Sequence, residues 1–169
     1  NPYLARNPSQ FWRRWHVSFS TWIRDYLYFS FGGSRGTFAR TTMATFGAML
    51  LSGLWHGAAW TFVLWGAFHA ALLTGYRLVV PRIPARLKTM PGAHSLAVVI
   101  MFGFTVFGWM IFRETRIDRL LHYLTLSPFE ASPEQWVATA VLLAVIAAAS
   151  APLILALLAE RYVKPKLEH

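Results

Sequence analysis

The chain of 169 residues contains no cysteine, which excludes a disulfide bond, a thiolate nucleophile and a cysteine-based metal site. Charged residues are also scarce: they make up 14% of the chain, against about a quarter in soluble domains. Only 7 residues are acidic, whereas 16 are Lys or Arg, which gives a net charge of +9. Asp25 is the only acid before Glu114 and no Gly-x-Ser-x-Gly elbow occurs, so a Ser/His/Asp triad is not supported.

Apolar residues take the place of charge, because 56% of the chain is hydrophobic and 16% is aromatic. The cations cluster at the ends of long apolar runs, where juxtamembrane anchors belong. We therefore expect a lipid bilayer as partner and no nucleic acid, and we predict an all-α, polytopic transmembrane protein. The chain begins at Asn1 and has no signal-peptide pattern, so we expect a fragment of a longer protein or a processed product.

The alternation of apolar and charged stretches predicts seven segments. They are an amphipathic interfacial helix with a Gly-rich turn (1–40), a buried helical pair or re-entrant hairpin that carries His56 (41–76), a basic cytoplasmic loop (77–94), a transmembrane helix (95–112), an external connection (113–134), a second transmembrane helix (135–160) and a basic tail (161–169). The excess of Lys and Arg places the N-terminus, the first loop and the tail on the cytoplasmic side.

The first segment has a clear helix start, with Asn7 as cap, Pro8 at the first helical position and Gln10 completing a capping-box-like pair. As one continuous helix it gathers most of its aromatic residues on one broad face, which is typical of an interfacial helix. A neighbouring stripe consists of Arg13, Val17, Ser20 and Arg24, and His16 lies at the border between the two faces.

His56 is the ionisable residue whose position is hardest to explain by packing alone. It lies in a run from Thr41 to Tyr76 that contains no Lys, Arg, Asp or Glu. An ionisable group inside such a run is a functional candidate, and burial disfavours the charged form of its imidazole. A neutral imidazole can act as a general base towards a hydroxyl that attacks an ester or thioester. The alternative is a structural histidine that bonds a carbonyl between helices.

His69 follows 13 residues after His56, which on a continuous helix places it on a different face, so we assign it a structural or supporting role. The pairs formed by His16, His56 and His69 lack the i,i+3 or i,i+4 spacing that prepares a metal site on a helix. We therefore predict no metal.

Two blocks resemble the membrane-bound O-acyltransferase family, and in particular the bacterial branch that contains the alginate O-acetyltransferase membrane subunit. The first block is FWRRWHVSFSTWIRDYLY (11–28) followed by GGSR (32–35), and the second is LSGLWHGAAWTFVLWG (51–66). The resemblance covers about residues 1–125. Family members carry many more membrane spans before these blocks, so this chain alone is expected to be inactive.

The resemblance implies that His56 is the catalytic residue in a membrane tunnel and that His16 is a second functional histidine. It implies no tightly bound cofactor, an acyl thioester such as acetyl-coenzyme A as cytoplasmic donor, and a multi-pass protein of the bacterial cytoplasmic (inner) membrane. The acceptor is an exported polysaccharide such as alginate, or a periplasmic or extracellular partner protein that completes the transfer. Candidate substrate or donor contacts are Arg13, Arg24, Trp55 and Ser20.

A different class of function also fits the composition, namely a non-catalytic membrane scaffold or channel subunit that docks partners through aromatic helices. That alternative predicts that both His16 and His56 tolerate substitution, whereas loss of Trp12, Trp15 and Trp22 disrupts assembly.

Overall fold

The computed structural model describes residues 1–126, 131–141 and 144–145. These residues form helices and no strand, as the all-α prediction requires. The helices are α1 (Pro8–Arg14), α2 (Val17–Trp22), a π-helix (Ile23–Tyr28), α3 (Phe38–His56), α4 (Trp60–Val79), α5 (Ala85–Thr89), α6 (Ala93–Arg113) and α7 (Ile117–Thr125), with short 3-10 turns at Pro2–Leu4 and Val80–Arg82.

The chain divides into two units, Asn1–Leu124 and Thr125–His169. In the second unit, residues 133–141 are helical, and a reciprocal pair of hydrogen bonds between Ser132 and Gln135 caps the start of that helix. Most of the predicted transmembrane helix 135–160 and all of the tail 161–169 lie outside the described residues. All features of the site belong to the first unit.

Two segments of the described chain are long and apolar enough to cross a membrane, Trp60–Arg82 and Ala93–Arg113. The second of them corresponds to the predicted transmembrane helix 95–112. The charge-free run 41–76 is divided between α3 and α4, which extend it by three residues at each end. Arg77 therefore belongs to α4, so the predicted start of the basic loop at residue 77 was wrong.

The prediction of one continuous N-terminal helix was also wrong, although its start is confirmed. The Asn7 side chain accepts a hydrogen bond from the Gln10 backbone N–H at 2.8 Å. The Gln10 side chain, however, reaches the backbone N–H of Arg6 and not that of Asn7. The helix then ends at Arg14, and His16 adopts the left-handed conformation with φ 41° and ψ 57° before α2 begins.

The helices α3 and α4 are antiparallel and cross closely because two glycines let the backbones meet. A Cβ on Gly53 would lie 2.1 Å from the Phe62 carbonyl oxygen, and one on Gly66 would lie 2.3 Å from that of Met49. Gly57 ends α3 with φ 154° and ψ 166°, a conformation that is essentially restricted to glycine. The chain can therefore reverse within three residues after His56.

The buried core joins α1 to the α3–α4 pair and to α6. Phe11 and Trp12 of α1 are buried with Trp65 of α4, Met101 of α6 and Leu120 of α7. This packing holds the short helix α1 against α4. Because His16 follows α1 by two residues, the packing also positions His16 relative to the α3–α4 turn.

Candidate functional site

His16 lies at the break between α1 and α2 and is exposed. It is the only non-glycine residue with a positive φ in the described part of the chain. Such a conformation costs about 1–2 kcal/mol for an L-residue other than Asn or Asp. The surrounding bonds maintain it, because the Ser20 hydroxyl donates to the Trp15 carbonyl at 2.8 Å and the Ser20 N–H donates to the His16 carbonyl at 2.9 Å.

His56 is the last residue of α3 and is half-buried rather than fully buried. Aromatic rings surround its imidazole: the ring centroids of Trp55 and Phe112 each lie 5.0 Å from it, and those of Trp65, Phe19 and Phe62 lie 5.6, 5.7 and 6.3 Å away. These rings present few groups that could hydrogen bond to the imidazole. Because His56 is only half-buried, part of its ring remains accessible.

His16 and His56 meet at the ring of Phe19. The Phe19 centroid lies 5.1 Å from the His16 ring and 5.7 Å from the His56 ring. The left-handed turn at His16 directs α2 back across the end of α3, so two histidines 40 positions apart in sequence flank one phenylalanine. Phe19 therefore brings the two histidines of the two sequence blocks together around one ring.

His69 is the histidine that the fold does bury, with 3% of its surface exposed. Its ring packs on Trp65 at 4.8 Å, Trp12 at 5.1 Å, Phe68 at 5.3 Å and Phe11 at 5.9 Å. Its Nδ1 has no hydrogen-bond partner among the described residues. These rings enclose His69, and one of them, Trp65, also contacts His56.

A cavity of about 480 Å³ lies beside these rings, between α1, α2, the π-helix, α3 and α4. All four residues of the predicted stripe line it: Arg13, Val17, Ser20 and Arg24. Trp12 and Arg77 line it as well. We call it the arginine cavity. None of its lining residues is acidic, so its charge is positive.

Arg24 forms a bidentate pair with Asp25, with distances of 2.7 Å from Nε to Oδ1 and 3.2 Å from Nη2 to Oδ2. These hydrogen bonds hold the pKa of the Asp25 carboxyl below its ordinary value. Asp25 is therefore ionised at neutral pH, and it partly neutralises Arg24. Arg13 and Arg77 have no acidic partner among the described residues.

Two features of this site did not follow from the sequence. The first is Arg77, which α4 carries into the arginine cavity from a part of the chain that had been assigned to a loop. The second is the burial of Trp12, whose exposed fraction is 8% and whose ring contacts Trp65 and His69. If the predicted helix had been extended by one turn beyond Tyr76, it would have included Arg77 and revealed the first feature.

Trp55, a candidate substrate contact, is 64% exposed and packs its ring on Phe19 at 4.7 Å. It borders His56 and does not line the arginine cavity. Within the described residues, no three His, Cys, Asp or Glu side chains come together in a way that could hold a metal ion.

A model of the MBOAT, membrane-bound O-acyltransferase family, matches residues 3–118. A probable alginate O-acetylase of Azotobacter vinelandii is 48% identical over 117 residues, which are 69% of this chain and 22% of that protein. A peptidoglycan O-acetyltransferase of Helicobacter pylori is 36% identical over 124 residues, 73% of this chain and 23% of that protein. A teichoic acid D-alanyltransferase of Bacillus subtilis is 35% identical over 121 residues, 66% of this chain and 30% of that protein. The chain thus spans about a fifth of the length of the alginate O-acetylase relatives.

Proposed function

The chain belongs to the membrane-bound O-acyltransferase family, and we propose that it forms the two-histidine part of an enzyme that transfers an acyl group, most simply acetyl, from a cytoplasmic thioester to a hydroxyl of an exported polysaccharide. The observation that carries this proposal is the meeting of His16 and His56 at Phe19, next to a positively charged cavity. A base, a neighbouring polar group and a site for an anionic donor are the parts that such a transfer needs.

His56 serves as the general base in this reaction. One imidazole nitrogen accepts the proton of the acceptor hydroxyl while the hydroxyl oxygen bonds to the thioester carbonyl carbon. The resulting tetrahedral adduct collapses with cleavage of the C–S bond, and the imidazolium returns its proton to the departing sulfur. The products are an ester and a thiol, and His56 ends neutral. His16, on the other side of Phe19, is placed to hydrogen bond to the acceptor or to the adduct.

The donor approaches from the arginine cavity, where Arg13, Arg24 and Ser20 contact it. Acetyl-coenzyme A and other acyl thioesters carry anionic groups that a basic surface attracts. Trp55 covers the outer side of His56, and His69 supports Trp65 from behind. No tightly bound cofactor is required for this transfer.

Alginate is the acceptor that the relatives favour, since the probable alginate O-acetylase of Azotobacter vinelandii is 48% identical. The relative from Helicobacter pylori carries the name of a peptidoglycan O-acetyltransferase, so another exported glycan would suit the same chemistry. The acetyl group reaches the glycan directly or through a periplasmic or extracellular partner protein. This function places the full-length protein in the bacterial cytoplasmic (inner) membrane as a multi-pass protein, consistent with the two candidate spans.

Replacement of His56 by Ala in the full-length protein tests the proposal. Acetylation of the exported polysaccharide should fall by about 100-fold or more, since a general base typically contributes about 100- to 10,000-fold, while the amount of protein in the membrane stays the same. The matched control is His94→Ala, which removes an exposed imidazole at the start of α6. Acetylation that survives His56→Ala would rule out His56 and favour the scaffold alternative, particularly if loss of the exposed Trp22 then disrupts assembly.

A further inference from the structure

The arginine cavity has a chemical preference that its residues define. Three arginines from three different elements line it: Arg13 of α1, Arg24 of the π-helix and Arg77 of α4. Only Arg24 has a carboxylate partner among the described residues, namely Asp25. The other two lack an anion, and guanidinium is the side chain that binds phosphate oxygens in a bidentate manner.

Arg77 is the best positioned of the three. Its Nη1 donates to the Thr45 Oγ1 at 2.9 Å, and that hydroxyl in turn donates to the Thr41 carbonyl at 2.8 Å. Because the Thr45 hydroxyl proton is committed to Thr41, its lone pairs face Arg77. The guanidinium carbon also lies 6.0 Å from the centroid of the Tyr28 ring. A guanidinium held by two neighbours loses less side-chain entropy when it binds an anion.

The cavity is also in the right place for one end of an elongated donor. Ser20 lines the cavity, and the preceding residue, Phe19, contacts both His16 and His56. On the other wall, Trp12 lines the cavity and packs on Trp65, which contacts His56. Thr45, which Arg77 contacts, and His56 lie eleven residues apart on α3, so roughly 16 Å along the helix axis separates that contact from the reacting histidine.

We propose that Arg77 is the principal phosphate-binding residue of the donor site, and that the donor is recognised through the phosphate of a phosphopantetheine thioester. This inference rests on the proposed function and deepens it. Coenzyme A and the prosthetic arm of an acyl-carrier protein share that phosphate. Arg13 supplements the charge of Arg77, and Arg24, already paired with Asp25, contributes less.

A donor series on the full-length protein tests this assignment. S-acetylpantetheine has no phosphate, S-acetyl-4′-phosphopantetheine has one, and acetyl-coenzyme A has that phosphate and more. Arg77→Gln should raise KM for the two phosphorylated donors by about 10- to 100-fold, the range for a lost hydrogen bond to a charged group. KM for S-acetylpantetheine should change by no more than about twofold, and Arg77→Lys should recover part of the loss because the charge remains.

The matched control is Arg82→Gln, which removes an exposed arginine one turn further along, whose Nη1 bonds the Leu78 carbonyl and which lies outside the cavity. It should leave all three KM values within about twofold. An equal rise in KM for all three donors in Arg77→Gln, or no rise for any, would overturn the proposal. In the unsubstituted protein, a lower KM for acetyl-coenzyme A than for S-acetyl-4′-phosphopantetheine would identify coenzyme A as the source of the bound phosphate. Equal KM values would show that the shared phosphopantetheine arm is sufficient for recognition. Both results support the proposal.

A binding measurement separates this inference from the proposed function. In His56→Ala, in which transfer is expected to fall sharply, coenzyme A should still raise the thermal midpoint of the full-length protein, and adding Arg77→Gln should remove most of that shift. If no thioester donates an acetyl group to any acceptor yet coenzyme A binds through Arg77, the proposed function fails and the phosphate site stands. If transfer proceeds and the thermal shift caused by coenzyme A does not depend on Arg77, the phosphate-site proposal is wrong and the proposed function stands.

Discussion

Two aromatic regions share Trp65, and each surrounds one histidine. In the closed region, His69 is 3% exposed, packs on Phe11, Trp12 and Phe68, and has an Nδ1 without a partner among the described residues. In the open region, His56 is half-buried at the end of α3. The same type of side chain therefore occupies two different aromatic surroundings, and the difference between them is the access that each allows.

The backbone creates this difference in access. Gly57 turns the chain immediately after His56, so no further helical turn covers that ring. His69, in contrast, lies in the middle of α4, and α6 covers it through Gly108, where an added Cβ would lie 3.1 Å from the His69 Nε2. One glycine opens the first site, and another lets a helix close the second.

The largest effect should come from Gly53→Ala, which acts on both regions at once. The new Cβ would lie 2.1 Å from the Phe62 carbonyl oxygen, a backbone atom that cannot move without separating α3 from α4. We expect a loss of about 3 kcal/mol in the free energy of unfolding, the upper range for overpacking, together with loss of acyl transfer. Denaturant unfolding of the full-length protein in detergent measures it.

Gly75→Ala is the control for that experiment, because an added Cβ there meets nothing within 4 Å. It should leave transfer intact and stabilise α4 by about 0.5–1 kcal/mol, since alanine loses less conformational freedom than glycine in a helix. A Gly53→Ala protein as stable as the original would show that α3 and α4 need not cross closely for the two regions to exist.

The second effect separates the regions. His69→Ala should cost about 2 kcal/mol of stability, because it leaves a cavity among tightly packed rings, while transfer per folded molecule stays within about threefold. His56→Ala should do the reverse, with loss of transfer and a much smaller change in stability. Unfolding curves, together with transfer rates normalised to monodisperse protein, give both quantities. A stable but inactive His69→Ala protein would place His69 in the chemistry and remove the distinction between the regions.

The open region was more predictable from the sequence than the closed one. Two blocks, 11–28 and 51–66, carry the family resemblance that the family match over residues 3–118 confirms, and the stripe of Arg13, Val17, Ser20 and Arg24 lines one cavity. Local patterns sufficed because these residues are near one another in sequence. The four residues stay together although the helix is broken, because all of them line the arginine cavity opposite α3 and α4.

The closed region depends on contacts between residues far apart in the chain, which periodicity does not encode. Trp12 was expected on an interfacial face, yet it is buried against Trp65 and His69, about 50 positions away. Nor does a local pattern predict a left-handed histidine, because histidine adopts that conformation more often than most residues but still rarely. Its φ of 41° is accompanied by the local hydrogen bonds of Ser20 and by contacts of Phe19 with Trp55 and His56, and a local pattern does not encode those distant contacts.

The smallest change in stability, and the sharpest test of the open region, concerns His16. Because His16 is exposed, its removal leaves no cavity, and Gly adopts φ 41° without strain. His16→Gly should therefore keep or raise the stability by up to about 1 kcal/mol, and His16→Asn, which tolerates the left-handed region, should leave it nearly unchanged. Both should reduce transfer by about 10-fold or more, measured with the same normalised assay, since both remove the imidazole from Phe19. If removing the backbone strain at this position stabilises the fold but lowers activity, the strained histidine is kept because activity requires it. Full transfer in His16→Gly would instead show that the turn at His16 only sets the direction of α2. His56 would then be the single functional histidine of the open region.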